Sequence, residues 1–357
     1  MSVSAFSPWQ QRAYAQAVAA LDSGRMGHAL LLCGPAGLGK RAVAEALARY
    51  VLCTSRSGPG EPCGQCRSCQ LFAVRAQRDP VETRPDGSLA QPQGHSAHPD
   101  LVFVGYEWRL KPTPARMRTE IVIEQMRQLS ERLEVSAGFE SRVALVEPAD
   151  AVNYNAWNAI LKTLEEPLPG RYLWLVSANP ARLPATIRSR CQRLELRLPP
   201  RAEALAWLQA QGHAGPAAAE ALEAARGHPG LADAWLRGDG LALRRQVATD
   251  LAALASGRAD PLELAQRWSA EEGGDQRLVH AAEHAVAEAA AAGLTDPARL
   301  HKLAAWFDSA NRARDLLRST VRADLVMADL LLAWRDAMRG EGGGRSGSGR
   351  GAEGDNR

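Results

Sequence analysis

The chain has 357 residues, of which 46% are hydrophobic, enough apolar material for the cores of two or three domains. Its formal net charge of +3 is too small to indicate direct binding to nucleic acid. The first residues show no basic segment followed by an apolar one, and no later stretch offers about 18 uninterrupted apolar residues. We therefore expect a globular cytoplasmic protein without a membrane segment.

The N-terminal half alternates strand and helix patterns. Residues 28–33 form an apolar run, a glycine-rich turn follows, and residues 40–52 carry an apolar stripe at helical spacing. Such alternation predicts an α/β fold with a parallel sheet covered on both faces. Further strands are predicted at Leu101–Val104, Val143–Val146 and Tyr172–Val176, with helices at 121–134 and 152–165.

From Pro199 onward the strand signals stop, and Ala, Leu, Glu and Arg predict an all-helical remainder. An apolar stripe from Leu303 to Leu332 predicts a strong last helix, either in the core of a helical domain or at a subunit interface. Residues 339–357 contain only small, polar and charged residues, which predicts a disordered tail.

Residues 74–99 are polar and rich in Pro, Gly, Gln and Arg, so they offer little apolar surface to bury. We predict an exposed, mobile insertion there and assign it no function. His95 and His98 within it are interpreted as solvated loop residues rather than metal ligands.

A glycine-rich turn follows the first predicted strand. Residues 34–40, GPAGLGK, fit the first seven positions of a phosphate-binding loop through Gly34, Gly37, Gly39 and Lys40. The loop also lies between a predicted strand and a predicted helix, as phosphate binding by a helix N-terminus requires. The eighth position normally carries the Ser or Thr that ligates Mg²⁺. Here it is Arg41, which has no lone pair to donate to a metal.

The strand at 143–146 should be followed by acidic residues that hold the metal and position the attacking water. Glu147 can replace the first carboxylate, but Pro148 occupies the position of the catalytic Glu, so no general base remains there. The loop can belong to a working ATPase, bind ATP without hydrolysis, or be an empty scaffold. We expect no hydrolysis, and the sequence leaves ATP binding open.

Four of the six cysteines, Cys53, Cys63, Cys66 and Cys69, lie within one short segment. In a reducing compartment this crowding favours metal binding over disulfides. Four thiolates can close a tetrahedral structural zinc site, which leaves no position open for catalysis. A redox pair would need only two of them. We therefore predict a structural zinc module at residues 53–69.

Two later segments carry a family resemblance. Residues 158–167, NAILKTLEEP, resemble a near-signature stretch of clamp-loader subunits, and Ser189-Arg190-Cys191 resembles their SRC motif. The zinc module, the phosphate loop and these two motifs follow the family's order between about residues 8 and 198. The chain thus resembles the AAA+ subunits of bacterial DNA polymerase III clamp loaders.

Three departures resemble the delta-prime type of subunit rather than the motor type. They are Arg41, Pro148 after Glu147, and residues 227–230, where no arginine stands at the position that matches the arginine of the motor subunits. In that type Arg190 is retained, and the resemblance implies that it is an arginine finger that acts in trans on the ATP of a neighbouring subunit.

The resemblance also implies the domains and partners. We expect a RecA-like AAA+ domain with the zinc module at 1–198, a helical lid at 199–239 and a helical collar domain at 240–338. The implied partners are gamma/tau-type motor subunits and a delta subunit in a hetero-pentamer, and through them the sliding clamp and primed DNA.

Two alternatives remain open. One is an ATP-hydrolysing motor subunit of the same machine. The other is a zinc-ribbon protein that binds nucleic acid on a phosphate-loop scaffold, which is disfavoured because no cluster of basic and aromatic residues accompanies the cysteines. Without the family resemblance, Arg190 would be interpreted as a solvated surface residue.

Overall fold

The computed structural model describes residues 6–84, 88–109, 115–271, 273–292, 296–317 and 321–338. The chain divides into two compact units, Met1–Asp233 and Ala234–Arg357. This boundary lies inside the segment 199–239 that we expect to be a lid. The division into AAA+, lid and collar domains stays a prediction, and the expected disordered tail lies outside the described residues.

The first unit is built on a five-stranded parallel sheet. Its strands are β1 (Ala29–Cys33), β2 (Leu101–Val104), β3 (Arg142–Val146), β4 (Arg171–Ser177) and β5 (Gln192–Glu195), and their spatial order is β2-β3-β4-β1-β5. Two inner strands, β1 and β3, are buried along their whole length, as expected for a parallel sheet covered on both faces. This arrangement confirms the predicted α/β fold class.

The helices of this unit are α1 (Pro8–Asp22), α2 (Lys40–Leu52), α3 (Arg67–Ala73), α4 (Ile123–Glu134), α5 (Leu161–Glu165), α6 (Ala185–Arg188), α7 (Arg201–Ala210), α8 (Gly215–Ala224) and α9 (Pro229–Arg237), which contains the boundary between the units. Side chains of the strands β1 to β4 alternate between two hydrophobic cores. Leu30 and Leu32 pack with α1 and α2, whereas Leu31 packs on the opposite face with α4.

The structure differs from the predicted elements at two places. The helix predicted at 152–165 consists of a 3₁₀ segment, Tyr154–Ile160, followed by α5. The edge strand β5 was not predicted because Leu194 is the one buried residue among its four, so it lacks an apolar pattern.

The insertion at 74–99 is exposed over more than half of its described residues, as predicted, but part of it is packed. A short antiparallel ribbon joins Arg75–Ala76 to His95–Ser96. His95 contacts the buried Glu82 at 2.7 Å, and the buried His98 lies 2.9 Å from the Ser68 hydroxyl. The prediction of solvated histidines was therefore wrong, because both rings are held by hydrogen-bonding partners, whereas the mobility of the insertion stays a prediction.

The described part of the second unit is entirely helical. Its core contains Trp268, Trp306 and Trp334, and each indole N–H donates a hydrogen bond to an oxygen atom. A helix able to cross a membrane is not found among the described residues. The helices are α10 (Gly240–Ala255), α11 (Pro261–Ala270), α12 (Gly274–Ala292), α13 (Pro297–Leu316) and α14 (Ala323–Met338).

The apolar stripe from Leu303 to Leu332 belongs to two helices, α13 and α14, rather than to one. Leu303, Trp306 and Ala310 are buried in the core of the second unit, whereas Val321 and Leu325 are exposed. The buried positions support the core interpretation for α13, and the exposed ones leave the interface interpretation open for the later part of the stripe.

A buried carboxylate joins the beginnings of β2 and β3. Asp100 is fully buried and accepts hydrogen bonds from the backbone N–H groups of Gly138 and Phe139. The Arg142 guanidinium donates two more, from Nε at 3.0 Å and from Nη2 at 2.8 Å. Burial alone would raise the pKa of Asp100, but these bonds hold it below its ordinary value.

We expect Asp100→Ala to lower the free energy of unfolding by about 3–5 kcal/mol at neutral pH, because it leaves the buried Arg142 cation without its anion. The change is measured by urea unfolding. Glu124→Gln is the matched control: its exposed carboxylate lies 3.7 Å from Arg127, and its loss should cost less than about 1 kcal/mol.

The stabilisation by Asp100 should depend on pH. Since its folded pKa lies below the unfolded value, the stabilisation is complete above the unfolded pKa of about 4 and is lost as pH falls through the folded pKa. The difference in the free energy of unfolding between wild type and Asp100→Ala should therefore become smaller at acidic pH. If this difference stays the same from pH 7 down to the pH at which Asp100 is fully protonated, the Asp100 carboxylate is not the source of the stabilisation.

Candidate functional site

The phosphate loop lies at the carboxyl end of β1. Gly34, Gly37 and Gly39 form the turn into α2, as predicted. Gly34 has a φ of 136°, and a Cβ there would lie 2.0 Å from the Leu196 carbonyl oxygen. Glycine is required at this position because the backbone after β5 approaches the loop so closely.

The Lys40 side chain turns back onto its own loop. Its ammonium donates hydrogen bonds to the carbonyl oxygens of Gly34 at 2.8 Å and Pro35 at 2.7 Å. Burial lowers the pKa of Lys40, and the nearby Glu147 and Asp150 carboxylates oppose this effect. The predicted phosphate-binding lysine is in place, but it is bound to loop carbonyls.

Side chains from distant parts of the first unit bind three further loop carbonyls. They come from α1 and from the residues just before α9. No sequence motif marks these side chains, so they were not predicted. The contacts are Trp9 Nε1 to Leu38 O at 3.1 Å, Gln10 Nε2 to Gly39 O at 3.4 Å, and His228 Nε2 to Ala36 O at 2.6 Å.

The first residues of α9 pack directly on the phosphate loop. A Cβ at Gly230 would lie 2.2 Å from the Gly37 carbonyl oxygen, so a larger residue does not fit without movement of the backbone. Burial lowers the pKa of His228, which favours the neutral ring. Next to residues 227–230 the loop is therefore contacted by an uncharged ring.

Arg41 lies at the start of α2 and faces the end of β3. Its Nη1 is 3.1 Å from Glu147 Oε2, and its Nε donates a hydrogen bond to Glu45 at 2.9 Å. The guanidinium also donates to the Ala90 carbonyl at 3.1 Å and stacks 4.6 Å from the centre of the Phe103 ring. Arg41 thus joins the loop to the insertion.

Glu147 is the carboxylate that β3 supplies to the loop. One fifth of its side chain is exposed, but its Oε2 atom is inaccessible and lacks a partner with hydrogen-bond geometry, so Arg41 compensates it by charge. Burial raises the pKa of Glu147, and the Arg41 charge opposes this rise. Pro148 follows without an ionisable group, and Asp150 accepts a hydrogen bond from the Ala178 N–H.

The four predicted cysteines come together in a separate cluster. All four Sγ atoms lie within 4.8 Å of one another, so the cluster could bind a metal such as zinc. Cys53 ends α2, Cys66 caps the start of α3, and Cys63 lies in the loop between these helices. Backbone N–H groups of Cys63, Cys66 and Cys69 point at cysteine sulfurs at 3.3–3.4 Å. Such bonds hold the pKa of Cys63 and Cys66 below the ordinary value, which favours their thiolates, whereas burial raises the pKa of Cys53 and Cys69.

Arg190 lies in the turn between α6 and β5. Leu183, Ile187 and Cys191 are buried at intervals of four residues and fix this segment to the first unit, whereas Arg190 is exposed. Among described residues its hydrogen bonds go to a neighbouring helix turn and to the NAILKTLEEP segment, not to the phosphate loop of its own chain. The partners are Thr186 O at 2.8 Å and Glu165 Oε1 at 2.5 Å.

The chain is similar to known proteins of DNA replication. The family described as "DNA polymerase III, delta subunit" matches residues 9–200, which include the loop, the cysteines and Arg190. The DNA polymerase III subunit delta' of Pseudomonas aeruginosa is 36% identical over 267 residues, covering 73% of this chain and 71% of that protein.

Two further relatives are similar over shorter lengths. The subunit delta' of Escherichia coli is 31% identical over 69% of this chain and 65% of its own length. The DNA polymerase III subunit gamma/tau of Mycobacterium bovis is 32% identical over 54% of this chain, but only 28% of its own length is covered. The chain belongs to the family of DNA polymerase III delta-prime subunits.

Proposed function

We propose that this chain is the non-hydrolysing delta-prime subunit of a DNA polymerase III clamp loader. It helps to load the sliding clamp onto primed DNA and supplies Arg190 to the ATP site of a neighbouring gamma/tau-type motor subunit. The observation that carries the proposal is the exposure of Arg190 on a segment anchored by three buried side chains. Family membership supports the type of subunit.

The contacts of Arg190 suit a group that acts outside its own chain. A guanidinium has five N–H donors, and two described bonds leave donors for a phosphate. Its ion pair with Glu165 is weak because half of the Glu165 side chain is exposed. A phosphate of higher charge can replace that partner, and such a finger accelerates phosphoryl transfer by about 10³–10⁵.

The phosphate loop supports the absence of hydrolysis in this chain. Arg41 cannot ligate Mg²⁺, Pro148 cannot act as a general base, and the Lys40 ammonium is occupied by loop carbonyls. A motor subunit would need all three functions. This is why we prefer the delta-prime assignment to the motor alternative.

The cysteine cluster fits a structural zinc ion. A Zn–S bond of about 2.3 Å and tetrahedral angles place ligand sulfurs about 3.8 Å apart. Cys53 Sγ lies 3.6 Å from Cys63 Sγ and 3.9 Å from Cys66 Sγ. We propose that Cys53, Cys63, Cys66 and Cys69 hold one zinc, which joins the end of α2 to the start of α3 and supplies no catalysis.

The remaining assignments belong to the same proposal. Residues 1–198 form the AAA+ domain, 199–239 the lid and 240–338 the collar that assembles with the motor and delta subunits in a cytoplasmic hetero-pentamer. The alternative of a zinc ribbon that binds nucleic acid is disfavoured. Phe72 beside the cysteines is buried, so it offers no surface on which a base could stack.

The isolated chain should release no phosphate from ATP above background, because it lacks both a metal hydroxyl and a base. The measurement is steady-state phosphate release with Mg²⁺, compared with Lys40→Ala. Equal values for the two proteins are expected. Metal-dependent release that Lys40→Ala abolishes would show a working ATPase.

Protein purified without chelator should contain about one equivalent of zinc per chain, because the four thiolates close one tetrahedral site. Cys63→Ser should lose most of this zinc and lower the unfolding temperature, since assembly of such a site is coupled to folding. Cys191→Ser, a buried cysteine outside the cluster, is the control and should keep its zinc. Zinc content is measured by metal analysis and the unfolding temperature by thermal melts. A wild-type protein that contains no zinc would show that the four cysteines do not form a zinc site.

In a reconstituted pentamer, Arg190→Ala should leave assembly intact while slowing ATP hydrolysis at a single site of an unmutated motor subunit. The total rate of ATP hydrolysis should therefore fall only partly. The rate of clamp loading should fall more, because loading uses the whole ring. Arg190→Lys should rescue poorly, since an ammonium cannot replace the planar guanidinium.

Arg188→Ala removes an exposed arginine two residues earlier and is the matched control, which should behave as wild type. Assembly is checked by gel filtration before rates are compared. The trans-acting role is excluded if the Arg190→Ala pentamer hydrolyses ATP and loads clamps at the wild-type rate.

A further inference from the structure

The ion position of a phosphate loop is defined by two ligand groups, the hydroxyl at the eighth loop position and the carboxylate after the second strand. In this chain those positions carry Arg41 and Glu147. The Arg41 Nη1 atom lies 3.1 Å from Glu147 Oε2, so a nitrogen already occupies the space beside the oxygen that a divalent cation would use. These residues do not fit a magnesium ion.

The Arg41 side chain is held on several sides. Glu45 accepts a hydrogen bond from its Nε, the Ala90 carbonyl accepts one from Nη1, and the Phe103 ring lies against its face. Arg75 fixes Glu45 in turn, with 2.7 Å between the charged groups. Two of these partners, Ala90 and Arg75, belong to the insertion at 74–99.

The charge of Glu147 explains why this arrangement is stable. A carboxylate with an inaccessible oxygen must be compensated by a cation, because burial of an unpaired charge is strongly unfavourable. The guanidinium provides that compensation through atoms of the same chain. A divalent cation at this place would have to displace the guanidinium, and two cations at such a distance repel each other.

We propose that Arg41 is a built-in substitute for the divalent cation, and that the phosphate loop therefore excludes metal ions and metal–nucleotide complexes. The insertion contributes by holding Arg41 against Glu147. This inference rests on the proposed function, because it gives a physical reason why a delta-prime subunit would not hydrolyse ATP. It is tested by binding, independently of turnover.

The test uses the full chain with Mn²⁺ and ADP as probes, in wild type, Arg41→Thr and Arg41→Lys. Water-proton relaxation measures bound Mn²⁺, and calorimetry measures ADP with Mn²⁺ or with EDTA. In Arg41→Thr, a hydroxyl and the released Glu147 carboxylate can ligate the ion, so Mn²⁺ should tighten ADP binding by about tenfold or more. Wild type and Arg41→Lys should show no such tightening, because both keep the positive charge.

A second variant identifies the ligand. Arg41→Thr combined with Glu147→Gln should lose the gain, since an uncharged amide is a poorer ligand than a carboxylate. Thermal melts first establish that each variant is folded. A folded Arg41→Thr protein without any Mn²⁺-dependent gain would overturn the inference.

The wild-type protein alone can also overturn it. If Mn²⁺ tightens ADP binding to wild type by about tenfold or more, Arg41 does not exclude the metal, whether or not any variant folds. If the wild-type protein binds Mn²⁺–ADP but releases no phosphate from ATP, this inference is wrong and the proposed function is unaffected. Phosphate release by wild type would contradict both.

Discussion

The site depends on one constraint: the inner strands of the sheet are parallel and end at the same edge. Because β1 and β3 are buried along their whole length, neither can slide without exposing apolar side chains. The phosphate loop after β1 and Glu147 after β3 are therefore fixed beside each other. Arg41, in the first turn of α2, reaches Glu147 from this fixed starting point.

Apolar periodicity predicted most of the first unit but not its polar parts. The strands β1 to β4 are apolar runs that the sequence marks clearly. In contrast, β5 has one buried residue, and the insertion is held by pairs such as His95 with Glu82 and by Asp100 with Arg142 just beyond it. Such pairs have no period, so the polar composition of the insertion did not reveal which of its side chains, such as Glu82 and His98, are buried.

The candidate site was predictable where its residues are close together in the chain. The cysteine spacing predicted a cluster that the structure brings together, and the loop motif located Lys40. The contacts that occupy the loop were not predictable, because Gln10 and His228 lie 29 and 192 residues from the carbonyl groups they bind. Their pairing follows from the packing of helices, which no local pattern encodes.

Arg41 and Arg190 are both arginines, but they differ in how accessible their guanidinium groups are to another molecule. Arg190 is exposed, and its partner Glu165 is half exposed, so water can compensate both groups when the pair separates. Arg41 has partly buried partners on several sides, and its loss leaves an inaccessible Glu147 oxygen without its cation. The surroundings of each guanidinium, rather than its own chemistry, therefore decide which one can be offered to another molecule and which one stays fixed inside the chain.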